Sequence, residues 1–292
     1  MKAPDKINTR QLCIFYAIYS LSIKILALPS ILAAGAANFA WAAALIGIAF
    51  EILTVMLATW LLRIDTKSVF AKILYCLFVP ILLLELWLTG TVTHGLVYEN
   101  LFADLPLIVF IATLAVIGAF FIYRPMRAFF RSGEILWLFI LIGIIMAVIP
   151  TVYDLDKDFA VLVSGSGSGI VKTAAFNVLY FQTAIFVFIF GASSERNSKD
   201  IMKINLTAVF TGLFFAAFVA LFIVLFGPLA VNKTTAIIDM TTASKHITDS
   251  GAFDWYIASA ALTMLVLRLG AEVAAVVICV KKIFNLRKKA VA

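Results

Sequence analysis

Charge is scarce in this sequence: 13% of its 292 residues are charged, against about 25% in a typical soluble domain. A chain this poor in charge cannot cover a water-facing surface, which excludes an ordinary soluble enzyme or scaffold. Cysteine is rare too. Cys13, Cys76 and Cys279 all fall in apolar or membrane-edge stretches without CxxC spacing, so buried free thiols are expected, with no disulfide framework and no zinc site. The only histidines, His94 and His246, lie near outer ends of apolar stretches. No HExxH, GxSxG or Walker pattern occurs. No enzyme activity, metal or cofactor is expected, and no tract of 20–50 residues repeats.

What is present is hydrocarbon: 64% of residues are hydrophobic and the mean hydropathy is +1.09. Stretches near the 20 or so residues that cross a bilayer fall at about 11–37, 39–62, 68–97, 105–123, 135–152, 170–191, 204–231 and 253–283. The sequence predicts an all-α membrane protein of about eight transmembrane helices. It forms a single integral membrane domain over 1–292 with no room for a soluble one. Lys2, Lys6 and Arg10 precede the first stretch, which lacks a small-residue cleavage site and reads as a retained helix and not a signal peptide.

The net charge of +7 would suggest nucleic acid in a soluble protein, but its placement argues for topology. With the N-terminus in the cytoplasm, seventeen of the 23 Lys and Arg residues face inward. Only Lys157, Lys172, Lys233 and Lys245 fall outside. That asymmetry follows the positive-inside rule for eight helices with both termini cytoplasmic. The implied contact is with anionic lipid of the bilayer and no nucleic acid.

The first stretch organises the rest. Lys24 lies inside it, Leu28-Pro29-Ser30 interrupts it, and Ala33, Ala34, Gly35, Ala36 and Ala37 follow. Proline removes a backbone donor and clashes with the carbonyl four residues earlier. Freed backbone groups survive in hydrocarbon only when buried in protein or lining a wet cavity. Broken helices of this kind hold binding sites in transporters; a merely kinked first span is the competing reading. The sixth stretch carries Asn177, Tyr180, Gln182 and Thr183 in its middle. Between the fifth and sixth lie Asp154, Asp156 and Asp158, a weak calcium signal without an EF-hand's glycine and glutamate. The Ser/Gly run from Ser164 to Gly169 follows, read as a linker or an extracellular gate.

Five ionisable residues fall within spans: Lys24, Glu51, Glu85, Arg268 and Glu272. Measured along the helix from a basic residue at the cytoplasmic end, each lies about 14–21 Å deep, the middle of a core about 30 Å thick. Charges there are expensive and face partners inside the bundle. Three acids against two bases leave one carboxylate unmatched, which is expected to bind a proton because desolvation disfavours its charged form. Lys24 is expected to pair with Glu272 or Glu85. Two readings stand: a proton-coupled or proton-sensitive site, or fixed ion pairs that specify helix packing.

Several segments resemble one family. Lys6-Ile7-Asn8-Thr9-Arg10-Gln11-Leu12 is similar to its opening. Leu28-Pro29-Ser30, the Ala/Gly stretch and Trp41 are similar to its broken first helix and the start of its second. Arg131-Ser132-Gly133-Glu134-Ile135 resembles the turn before its fifth helix, and Phe226-Gly227 fits its later part. The chain thus resembles the spore germination permease family, the membrane-embedded B subunits of nutrient germinant receptors, in the amino acid–polyamine–organocation superfamily. The resemblance implies a five-plus-five inverted repeat, with helices 1 and 6 broken around a midplane small-molecule site. By position, the implied binding residues are Ala27, Leu28, Pro29 and Ser30, with Tyr180, Phe181 and Gln182. For the second trio an ordinary packed helix face is the competing reading.

The sequence stops after the eighth of about ten family spans, so a truncated transporter-like fold is expected. That weakens autonomous transport more than sensing. The implied role is nutrient binding, an amino acid being the expected ligand, beside other germinant receptor subunits in the inner spore membrane. The alternatives are a proton-coupled amino-acid transporter, or a structural subunit or shortened paralogue without a ligand.

Overall fold

In a computed structural model of the chain, the described residues are 7–62, 69–100, 116, 126–153, 155, 159–163, 167, 169–191, 197–243 and 252–284. Among them, regular structure is entirely helical. In chain order the helices are α1 (Thr9–Lys24), α2 (Leu28–Ala36), α3 (Ala40–Leu61), α4 (Val69–Asn100), α5 (Met126–Tyr153), α6 (Ile170–Phe176), α7 (Thr183–Gly191), α8 (Ser198–Phe226), α9 (Ala236–Ala243) and α10 (Ala252–Ile283). Short 3-10 turns fill Ala37–Phe39, Phe159–Val163, Val178–Phe181 and Gly227–Asn232.

Five helical stretches are long and apolar enough to cross a membrane: Leu28–Leu61, Val69–Glu99, Met126–Tyr153, Ser198–Asn232 and Asp254–Ile283. A sixth follows if Ile170–Phe176 and Val178–Gly191, bent by 69°, form one span. The described residues thus do not confirm eight spans. The stretch at 105–123 lies outside the described residues except for Val116. The first stretch, 11–37, is not one helix: α1 ends at Lys24 and α2 starts at Leu28.

Two boundaries differ from the hydropathy reading, the one at α8 because of its cap. Helices begin where a cap satisfies their free amides, not where the apolar run begins. The Asn197 side chain and Asp200 form a reciprocal capping box, so α8 starts before the expected 204. Met126–Glu134 is already helical, with Phe129, Phe130 and Gly133 buried and Arg127 and Arg131 exposed. The arginine-rich turn expected there is the first turns of α5.

α1 is the buried axis. Every residue from Phe15 to Lys24 is buried, as expected of a helix enclosed on all sides. It packs among α5, α8 and α10, while α4 runs along α10 and α3 along α8. Phe15 sits 4.7 Å from both the Phe129 and Phe130 rings, and Tyr19 stacks on Phe186 at 4.7 Å. Glycines let these backbones approach: a Cβ on Gly47 would stand 2.3 Å from the Phe181 ring, and one on Gly133 2.6 Å from Phe15. Cys279 is buried as expected, whereas Cys76 is exposed on the outer face of α4, where hydrocarbon would cover it in a bilayer.

The turn after α2 is strained. Ala37 has φ 49° and ψ −129°, almost the geometry that Gly227 adopts after α8 (φ 49°, ψ −126°). A Cβ is disfavoured there, at about 1–3 kcal/mol. Replacing Ala37 with glycine is expected to raise stability by about 1 kcal/mol, allowing for glycine's extra unfolded-state entropy. Thermal unfolding in micelles checks this; an unchanged or lower midpoint contradicts it.

Candidate functional site

Four positions on α1 aim the site. Tyr16, Ser20 and Lys24 recur every four residues and so share one face of the helix, which looks toward α3 and α7. Tyr19 projects to another side, toward α4 and α10. The five ionisable residues expected at mid-membrane are all buried, each at most 1% exposed. They form two adjoining clusters.

In the first cluster the Lys24 ammonium pairs with Oε2 of Glu51 and donates to Ser20 Oγ at 2.8 Å. The other Glu51 oxygen, Oε1, accepts from Tyr16 (3.0 Å), Ser20 (3.0 Å) and Thr183 (2.7 Å). Lys24 also stands 5.1 Å from the Phe181 ring centroid. Both oxygens of Glu51 are therefore satisfied, which is what a charge in a dry interior requires.

In the second cluster Arg268 Nε donates to Glu272 Oε1 at 2.8 Å and to Thr89 Oγ1 at 3.1 Å. Its Nη1 donates to the Tyr19 carbonyl at 2.9 Å, and its guanidinium lies 4.4 Å over the Tyr19 ring. Thr89 donates to Glu272 Oε1 at 2.8 Å. Glu85 accepts from the Tyr19 hydroxyl at 2.7 Å. Among the described residues, Glu85 Oε1 and Glu272 Oε2 are buried without a hydrogen-bond partner.

The expected pairing of Lys24 with Glu272 or Glu85 is therefore corrected: its partner is Glu51. Glu272 on α10 and Glu85 on α4 lie beside Arg268, a second cation, and the Lys24 face of α1 turns away from them. Sequence reasoning also missed Tyr16, Ser20, Tyr19 and Thr89. The four-residue spacing of Tyr16, Ser20 and Lys24 was the available signal.

Both expected breaks are present. Pro29 is the second residue of α2, so it cannot donate to the Ile25 carbonyl. The next carbonyl, of Leu26, is taken by the Ala236 amide at 2.7 Å, from the start of α9. Ala27 O accepts from the Ser30 hydroxyl at 3.0 Å. Leu28, Pro29 and Ser30 are buried and Ala27 half-buried. In the sixth stretch the helix gives way at Asn177–Gln182, where Asn177 Nδ2 folds back onto Thr173 O at 2.9 Å. Phe181 is buried; Tyr180 and Gln182 are half-buried.

The structure brings Phe181 against Lys24 and Gly47. That joins the second break to the first cluster, two residues before Thr183. The outer helix α9 that closes the first break is held by Thr235 N–H to Asp239 at 3.0 Å and by Lys233 at 3.8 Å from the same carboxylate. Burial pushes the Asp239 carboxyl above its usual range, against the pull of those two donors. A separate apolar groove of about 440 Å³ between α1, α5 and α8 is lined by residues such as Leu21, Trp137 and Phe210 and by none of the expected binding residues.

Among the described residues, no group of three or more His, Cys, Asp or Glu side chains could hold a metal ion. Asp154, Asp156 and Asp158 lie outside those residues, as does most of the Ser164–Gly169 run. Compared with known proteins, the chain matches no protein-family model and no curated sequence.

Proposed function

We propose that this chain is the nutrient-binding membrane subunit of a spore germinant receptor, with an amino acid as its ligand and the other receptor subunits as partners. In this reading it sits in the inner spore membrane with both termini cytoplasmic, and its helices descend from a five-plus-five inverted repeat. The observation that carries the reading is the 69° break of the sixth stretch, set against the Lys24–Glu51 pair. Broken helices offer free backbone ends to the carboxylate and amine of a small zwitterion. Gln182 and Tyr180 supply polar groups at that break. The family resemblance of the Leu28-Pro29-Ser30 segment supports the same placement.

A proton-coupled amino-acid transporter is the second reading. It is favoured by the third buried carboxylate, which has no cation of its own. Both are tested with the full chain in lipid nanodiscs and proteoliposomes, using a panel of the twenty amino acids. Binding is read as a rise in melting midpoint and transport as uptake of radiolabelled amino acid under a pH gradient. Saturable binding that weakens at least tenfold in Gln182→Ala, without uptake, is the result expected of the receptor. Uptake moves the assignment to the transporter, and the absence of any binding removes both.

A further inference from the structure

Glu85 stands apart from the other four buried ionisable residues. Lys24 and Glu51 neutralise each other, and Arg268 is engaged by Glu272, four residues on along α10. Among the described residues Glu85 forms no ion pair. Its single hydrogen bond comes from the Tyr19 hydroxyl, and Oε1 has no partner although the residue is fully buried. Glu272 Oε2 is bare too, but Glu272 has Arg268 as its ion-pair partner. An ionised Glu85 would leave an oxygen bare in a dry interior beside a second carboxylate with no ion pair of its own, at severe cost. A neutral carboxylic acid has no such difficulty.

We propose that Glu85 carries an exchangeable proton, making the Tyr19–Glu85–Arg268–Glu272 cluster a proton-binding site in the middle of the bundle. The groups facing Glu85 are Tyr19 from α1 and Arg268 and Glu272 from α10. Tyr19 has a double role here: its hydroxyl donates to Glu85 while its carbonyl holds Arg268. Proton loss from Glu85 would place a second negative charge beside Arg268 and draw the guanidinium away from Glu272 and the Tyr19 carbonyl. A charge change at α4 is thereby linked to the position of α1, the helix that carries Lys24 and the first break. The inference deepens the proton-coupled reading and rests on it for the use of the proton, but not for its presence.

The test needs no nutrient. Infrared difference spectra of the full chain in nanodiscs are recorded across pH in H2O and D2O. A protonated-carboxyl carbonyl band that shifts in D2O and vanishes at alkaline pH is expected. It should be lost in Glu85→Gln and kept in Glu272→Gln. Glu85→Gln should also keep the wild-type melting midpoint, since it replaces one neutral side chain by another of the same shape. A band that survives Glu85→Gln, or no band at all, overturns the proposal. So does a Glu85→Gln protein that melts early or fails to fold, or a midpoint that rises with sodium in place of a pH-dependent band. A positive band with no amino-acid uptake would leave the proton site standing while removing the transporter reading.

Discussion

Glu51→Ala is expected to destabilise the protein by about 3–5 kcal/mol, the usual consequence of stranding one member of a buried ion pair. The geometry explains why the effect should be near the upper end. The Lys24 ammonium is buried, with Ser20 as its only other hydrogen-bond acceptor among the described residues. Three hydroxyls aimed at Glu51 Oε1 would lose their shared acceptor as well. Replacing both Lys24 and Glu51 with methionine removes the stranded charge, and the loss should shrink to about 1–3 kcal/mol, set by the orphaned hydroxyls. Tyr16 and Thr183 can still bond each other at 3.1 Å, which limits even that. Unfolding midpoints in micelles read both variants. A single mutant no worse than the double would mean the pair is not charged in the folded protein.

Arg268→Met carries the second large effect, also about 3–5 kcal/mol. Among the described residues, it takes the one cation from a cluster of two carboxylates, and it releases the Tyr19 carbonyl. Arg268→Lys separates charge from shape. A lysine keeps the positive charge but has neither the planar fork that reaches Glu272, Thr89 and the Tyr19 carbonyl together nor the stacking on the Tyr19 ring. It should recover only part of the loss. Equal stability of Lys and Arg at this position would show that charge alone matters there.

How much of this could be read from the residues varies with the kind of question. Helix rise placed all five ionisable residues at one depth, because depth needs only a count along the chain. It could not choose partners, because pairing depends on which way each face turns and what stands opposite. Lys24 was therefore matched to the wrong acids. The first break announced itself through Pro29. The second has no proline or glycine between Asn177 and Gln182, so only its cluster of polar side chains hinted at it. The helix start at Ser198 was hidden for another reason: hydropathy ignores the polar first turn that its cap makes possible.

The bond from Ala236 to Leu26 sets a limit on any guest at the first break. That carbonyl already accepts one donor at 2.7 Å, so a guest that displaces Ala236 exchanges one contact for another of the same kind, and one that does not has a single lone pair left to use. Recognition at that spot must draw its strength from charge or shape elsewhere, and its speed from how readily the outer helix lets go.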